Sequence, residues 1–135
     1  MNRIIKFRGR SVENGQWKYF DLHGLAIDEE KRVGFQFLRT DTITQFTGLL
    51  DKNGKEIYEG DLFGKMGGDA ERPGEYEIHA KVYFDEDLGA FCIDDQRGGW
   101  EYLFDYLQKS RNEREVIGNI YENPELLNTH IEKKQ

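Results

Sequence analysis

Asp85, Glu86, Asp87, Asp94 and Asp95 bracket one expected hairpin of this 135-residue chain. Carboxylates arriving from two strands can surround a divalent cation, which takes several oxygens at about 2.0–2.6 Å. Runs of like charge more often mark exposed surface, and a solvated turn is the preferred reading. A second constellation is basic. Lys6, Arg8 and Arg10 alternate onto one face of the first expected strand, and Lys18 lies on its hairpin partner. Phe7, Trp17, Tyr19 and Phe20 supply aromatics nearby. A basic β-face with aromatic rings can follow a single-stranded nucleic acid by stacking and phosphate contact. Strand alternation offers a simpler account, with the apolar set facing a core and the basic set facing water.

The remaining reactive side chains are scattered. Glu29-x-Lys31 and Glu132-x-Lys134 each imitate a fragment of a nuclease motif, but neither has a partner aspartate on a neighbouring strand. His23, His79 and His130 share no metal-ligand spacing, and Cys92 sits in the apolar run Ala90-Phe91-Cys92-Ile93. No nucleophile, base and orienting group come together, so the chain is expected to be no enzyme and to need no cofactor or metal.

The elements that position these residues are mostly strands. Ile4 to Arg10 and Trp17 to Leu22 read as a hairpin turned at Asn14-Gly15, where both residues tolerate positive φ. Strand material continues at Arg32 to Leu38 and Thr42 to Phe46, and Asn53-Gly54 turns the chain into Glu56-Ile57-Tyr58. Asp61 to Met66 follows the Gly60 bend, and Gly67 to Glu75 is the expected loop. From Tyr76 to Asp85 apolar and polar residues alternate strictly, and Glu86 to Gly89 turns this strand into Ala90 to Asp94. Trp100, Leu103, Phe104 and Leu107 fall at helical spacing. Glu115 to Tyr121 is again a strand, and Asn123-Pro124-Glu125 opens a C-terminal helix running through Leu126, Leu127 and Ile131. The class is mainly β with one or two short helices in the C-terminal third. The whole chain, 1–135, fits one domain or two small, closely packed β subdomains.

Composition agrees with strands joined by tight turns: nine Phe, seven Tyr, two Trp and fifteen Gly against two Pro. The net charge of −7 works against binding driven by phosphate neutralisation, which leaves nucleic acid as the alternative rather than the leading expectation. A lone cysteine suits a reducing compartment, and no apolar run is long enough to span a bilayer, so a cytoplasmic protein is expected.

The densest local pattern runs from Gln45 to Asp61, where a Gly48 turn, an Asn53-Gly54 turn and a Gly60-Asp61 step follow one another. Thr47, Gly48, Gly54, Gly60 and Asp61 could present backbone amides to a ligand. Turn geometry explains the glycines more simply. This run resembles the central signature of the YopX-like proteins of bacteriophages, prophages and mobile elements. Lys6-Phe7-Arg8 is similar to that family's opening, and Glu115 to Leu127 is similar to its closing signature, with Gly118, Asn119 and Pro124 among the matching positions. Gly9-Arg10 departs from the pattern, and residues 64–75 match none of it. The resemblance implies a compact, largely β fold with an SH3-like barrel component and a phage or integrated-element origin. It implies no known reaction. The expectation is a small β interaction module bound to a host or phage macromolecule, with self-association through strand edges plausible. Single-stranded nucleic-acid binding through Lys6, Arg8, Arg10 and Lys18 is the alternative.

Overall fold

A computed structural model describes residues 4–21, 38–66, 76–109 and 115–125. The expected strand Arg32 to Leu38 (Leu38 apart), the loop Gly67 to Glu75, and the helix beyond Glu125 lie outside these residues. Contacts divide the chain into two units, Met1–Gly48 and Leu49–Gln135.

In the first unit, β1 (Lys6–Ser11) and β2 (Trp17–Asp21) form an antiparallel hairpin. Its turn is closed by Gly15 N–H donating to the Ser11 carbonyl at 2.9 Å, and Gly15 takes a φ of 70°. The Asn14 side chain accepts the Gln16 N–H at 3.0 Å. Strand β3 (Leu38–Leu50) pairs with the other side of β1 and runs on through the division between the units. The β1–β3 register slips between Arg8 and Arg10: Arg8 faces Thr44, but Arg10 faces Arg39. Residues Thr40 to Ile43 therefore bulge opposite Gly9. Thr42 mends the interrupted ladder, accepting the Arg10 N–H at 2.9 Å and donating its own hydroxyl to the Arg39 carbonyl at 2.6 Å. Gly9 suits the bulge because an added Cβ would stand 3.1 Å from Ile43 Cγ1.

The second unit holds β4 (Glu56–Tyr58), β5 (Asp61–Met66), β6 (Tyr76–Asp85), β7 (Ala90–Asp94), β8 (Trp100–Tyr102), α1 (Leu103–Lys109) and β9 (Val116–Asn119). An antiparallel sheet runs β8-β7-β6-β5-β9, while β4 ends a sheet ordered β2-β1-β3-β4. Among the described residues the chain is thus mainly β, with the short helix α1 in its C-terminal third. Among the described residues both sheets have end strands rather than closing, and the SH3-like barrel implied by the resemblance is not seen.

The alternation in β6 holds at Ile78, Ala80 and Val82, which are buried, and ends at Phe84, which is 40% exposed. Ala80 and Val82 join Ile57, Phe63, Ile93, Leu103, Tyr106 and Val116 in the core of this unit. Helical spacing at Trp100, Leu103, Phe104 and Leu107 misjudged the local structure. Trp100 and Tyr102 belong to strand β8, and the helix starts only at Leu103. Its buried residues are Leu103 and Tyr106, while Phe104 is 58% exposed. The β7 ladder, pairing Asp94 with Trp100 and Cys92 with Tyr102, outweighed the apolar periodicity. At the other end the chain takes up helical geometry at Pro124 and Glu125, where the sequence places it.

Candidate functional site

The Gln45–Asp61 run and the Glu115–Glu125 run, far apart in the chain, meet in the second unit. Asp51 is the joint. Its Oδ1 accepts the N–H groups of Asn53 at 2.8 Å and Lys55 at 2.9 Å, which shapes the Asn53-Gly54 turn. Its Oδ2 accepts the Val116 N–H at 3.0 Å, a bond between residues 65 positions apart. The carboxylate is 7% exposed, and three backbone donors offset the cost of burying it.

A second junction lies at Gly60. Its N–H donates to the Val82 carbonyl and its carbonyl accepts the Ile120 N–H, each at 2.9 Å. Gly60 has a φ of 86°, and a Cβ there would stand 2.9 Å from the Tyr121 ring. Next to it, fully buried Asp61 pairs with Asn119 in the ladder and accepts the Tyr58 N–H at 2.8 Å. Asn119 shapes the closing turn, its Oδ1 accepting the Tyr121 and Glu122 N–H groups while its own N–H donates to Asn123 Oδ1. Gly118 leaves room for that Asn123 side chain. By contrast a Cβ at Gly48 or Gly54 would meet nothing within 4 Å, although both take positive φ. Thr47 is half-buried on β3, and Asn53 and Pro124 are exposed. These polar groups are spent on backbone, and the geometry is that of a folding corner.

The profile of the YopX protein family matches residues 3–128. The chain belongs to the YopX family. Among solved structures, the crystal structure of protein EF1440 from Enterococcus faecalis is similar over 93% of this chain and 99% of that one, at 22% identity and a TM-score of 0.49. No curated protein matches significantly.

The acidic constellation of this YopX-family chain does not converge. Asp85 pairs with Ala90 beside the β6–β7 turn, whereas Asp94 pairs with Lys81 four residues further along β7. Each carboxylate serves a local turn instead. Asp85 Oδ1 accepts from Asp87 and Leu88, Asp94 Oδ1 from Gln96, and Asp95 Oδ1 from Arg97 and Gly99. Glu86 and Asp87 are exposed in the turn. Among the described residues no cluster of His, Cys, Asp and Glu is placed to hold a metal ion.

The basic constellation is also rearranged. The register sets Lys6, Arg8 and Arg10 opposite Asp21, Tyr19 and Trp17, but sets Lys18 opposite Gly9, on the other face of the hairpin. Nor does the basic set simply face water. Arg8 is 5% exposed, with its guanidinium 4.3 Å from the Trp17 ring centre. Arg10 lies 6.0 Å from the same ring and donates from Nε to the Gly15 carbonyl, and Lys6 stands 5.2 Å from the Phe46 ring. Phe7 and Phe20 stack on the opposite face at 5.8 Å. The cations are held by rings of their own sheet.

Cys92 is buried, and burial pushes its thiol pKa up, with the Asp85 charge adding to the rise. A thiol kept protonated in this way is a poor nucleophile. Burial likewise raises Tyr83, helped by Cys92, Asp85 and Asp94. His79 is half-buried on β6. His23, His130, Glu29, Lys31, Glu132 and Lys134 lie outside the described residues. Among the described residues no helix is long and apolar enough to cross a membrane.

Two residues escaped the sequence reading. Asp51 carried a signal in the pattern Asp51-x-Asn53-Gly54, since an aspartate two positions before such a step commonly accepts backbone N–H groups across it. Thr42 carried none, because a register slip depends on the partner strand.

Proposed function

We propose that this YopX-family protein is a non-catalytic binding module, an accessory protein of phage or prophage origin, that acts by docking a macromolecular partner. One observation carries the reading. Trp100, Tyr102 and Phe104 are 53%, 41% and 58% exposed on β8 and the start of α1. Tyr102 and Phe104 line a groove of about 310 Å³ together with Leu49, Phe91 and Leu103, and Trp100 packs edge to face on Tyr102 beside it. A fold with a well-filled core nearby has no packing reason to leave these rings in water, and exposed aromatics are favoured anchors for partners. Self-association belongs to the same reading.

The test is affinity capture from induced host cells, with the wild-type chain and a Trp100→Ala/Phe104→Ala variant as parallel baits, read by quantitative mass spectrometry. Partners enriched on the wild type should fall at least about fivefold on the variant. Equal recovery on both baits would count against the aromatic surface. A solution mass of 15.9 kDa by light scattering would remove the self-association component.

A further inference from the structure

The face of the second unit's sheet that points away from its core carries an unusual mixture. Core residues Ala80, Val82 and Ile93 occupy one face of β6 and β7, so Lys81, Tyr83, Asp85, Cys92 and Asp94 occupy the other. The β8 partners of Asp94 and Cys92 are Trp100 and Tyr102, which share that outer face. Their rings meet edge to face at 5.6 Å. The face therefore reads, rung by rung, as Asp85 beside Ala90, then Tyr83-Cys92-Tyr102, then Lys81-Asp94-Trp100.

The two carboxylates use only Oδ1 to close their turns, and no hydrogen bond in the described residues engages Oδ2 of either. Lys81 faces Asp94 in the register, yet no ion pair joins them. On these rungs Asp85 and Asp94 outnumber the single cation, Lys81. Four residues of β7 separate the rung of Asp85 from that of Asp94, about 13 Å at the rise of an extended strand.

We infer that this face is a docking surface for an extended, basic segment of a partner polypeptide. Two Lys or Arg side chains four residues apart would meet Asp85 and Asp94, and an apolar side chain midway would rest on the rings of Tyr83 and Tyr102, which flank the buried Cys92. Charge complementarity selects this occupant: two carboxylates beside exposed rings attract ammonium or guanidinium groups and repel phosphate. The inference rests on the reading of the chain as a binding module, and adds the surface and the partner's chemistry.

The test is fluorescence anisotropy with a labelled decapeptide carrying two lysines four residues apart around a central leucine, and a control with glutamates in their place. The lysine peptide should bind at low salt and weaken at least about fivefold as ionic strength rises to about 0.5 M. Asp85→Asn/Asp94→Asn keeps an oxygen for each turn and removes both charges, and should weaken binding about tenfold. Trp100→Ala should also weaken it, and Lys81→Gln should tighten it. Equal binding of the glutamate peptide, or unchanged binding by the Asn double variant, would overturn the inference. So would binding of oligothymidylate but not of the peptide. If the peptide fails while the aromatic-dependent capture succeeds, this inference falls and the module reading stands.

Discussion

Asp51 joins two stretches of chain: one oxygen of its carboxylate holds the Asn53 and Lys55 amides, and the other holds the Val116 amide at 3.0 Å. Removing it leaves three backbone donors without their acceptor. Asp51→Ala should destabilise the protein by about 3 kcal/mol, because buried N–H groups lose charge-assisted bonds. Urea unfolding would measure it. Asp51→Asn supplies one oxygen but sets an amide NH₂ against a backbone donor, and should recover less than half of the loss.

The glycines of the signature should not respond alike. Gly60→Ala meets both the cost of positive φ and the Tyr121 ring 2.9 Å away, and should cost about 3 kcal/mol. Gly54→Ala takes a similar φ in open space, so only the backbone term applies, about 1 kcal/mol. Paired thermal or urea melts of the two variants check the difference. Equal losses would show that Tyr121 gives way freely.

Arg8 and Trp17 should be energetically coupled. A double-mutant cycle with Arg8→Ala and Trp17→Ala should yield about 1 kcal/mol of interaction, as for a desolvated cation over a ring. Arg8→Lys should restore only part of it, since an ammonium lacks the guanidinium plane that stacks.

Alkaline pH should weaken the fold through Cys92 and Tyr83. Both are raised on folding, chiefly by burial, so the folded state holds their protons more tightly than the unfolded chain does. Their contribution is complete below the ordinary cysteine value of about 8.5 and is lost as pH climbs through the folded values. Melting temperatures at neutral and alkaline pH should diverge less in Cys92→Ala than in the wild type. The native thiol should also react slowly with an aromatic disulfide reagent until the protein is unfolded.

Most of the architecture could be read from local pattern. The Asn14-Gly15 and Asn53-Gly54 turns, the ten-residue alternation of β6 and the Gly60 bend are short-range signals, and each came out as an element of the expected kind. Helical spacing at Trp100 misled for a physical reason. Apolar residues three and four apart also arise where a strand ends and a helix begins, and only the neighbouring β7 decides between them. The charged constellations were legible only in part. The preferred reading of Asp85 to Asp95 as turn residues agrees with their local hydrogen bonds, while antiparallel register separates Asp85 from Asp94 along the strand and puts Lys18 on the other face from Arg8.

Residue types and their order were enough to establish the family, the β class and the places where the backbone must turn, because glycine and asparagine act on their own φ and ψ. Which groups meet was decided in three dimensions. Val116 reaches Asp51 only when β9 joins the sheet, Thr42 bonds Arg10 only at a register slip, and Arg8 lies on Trp17 only because their strands run antiparallel. Long-range contacts of this kind depend on strand order and register, which no single segment encodes.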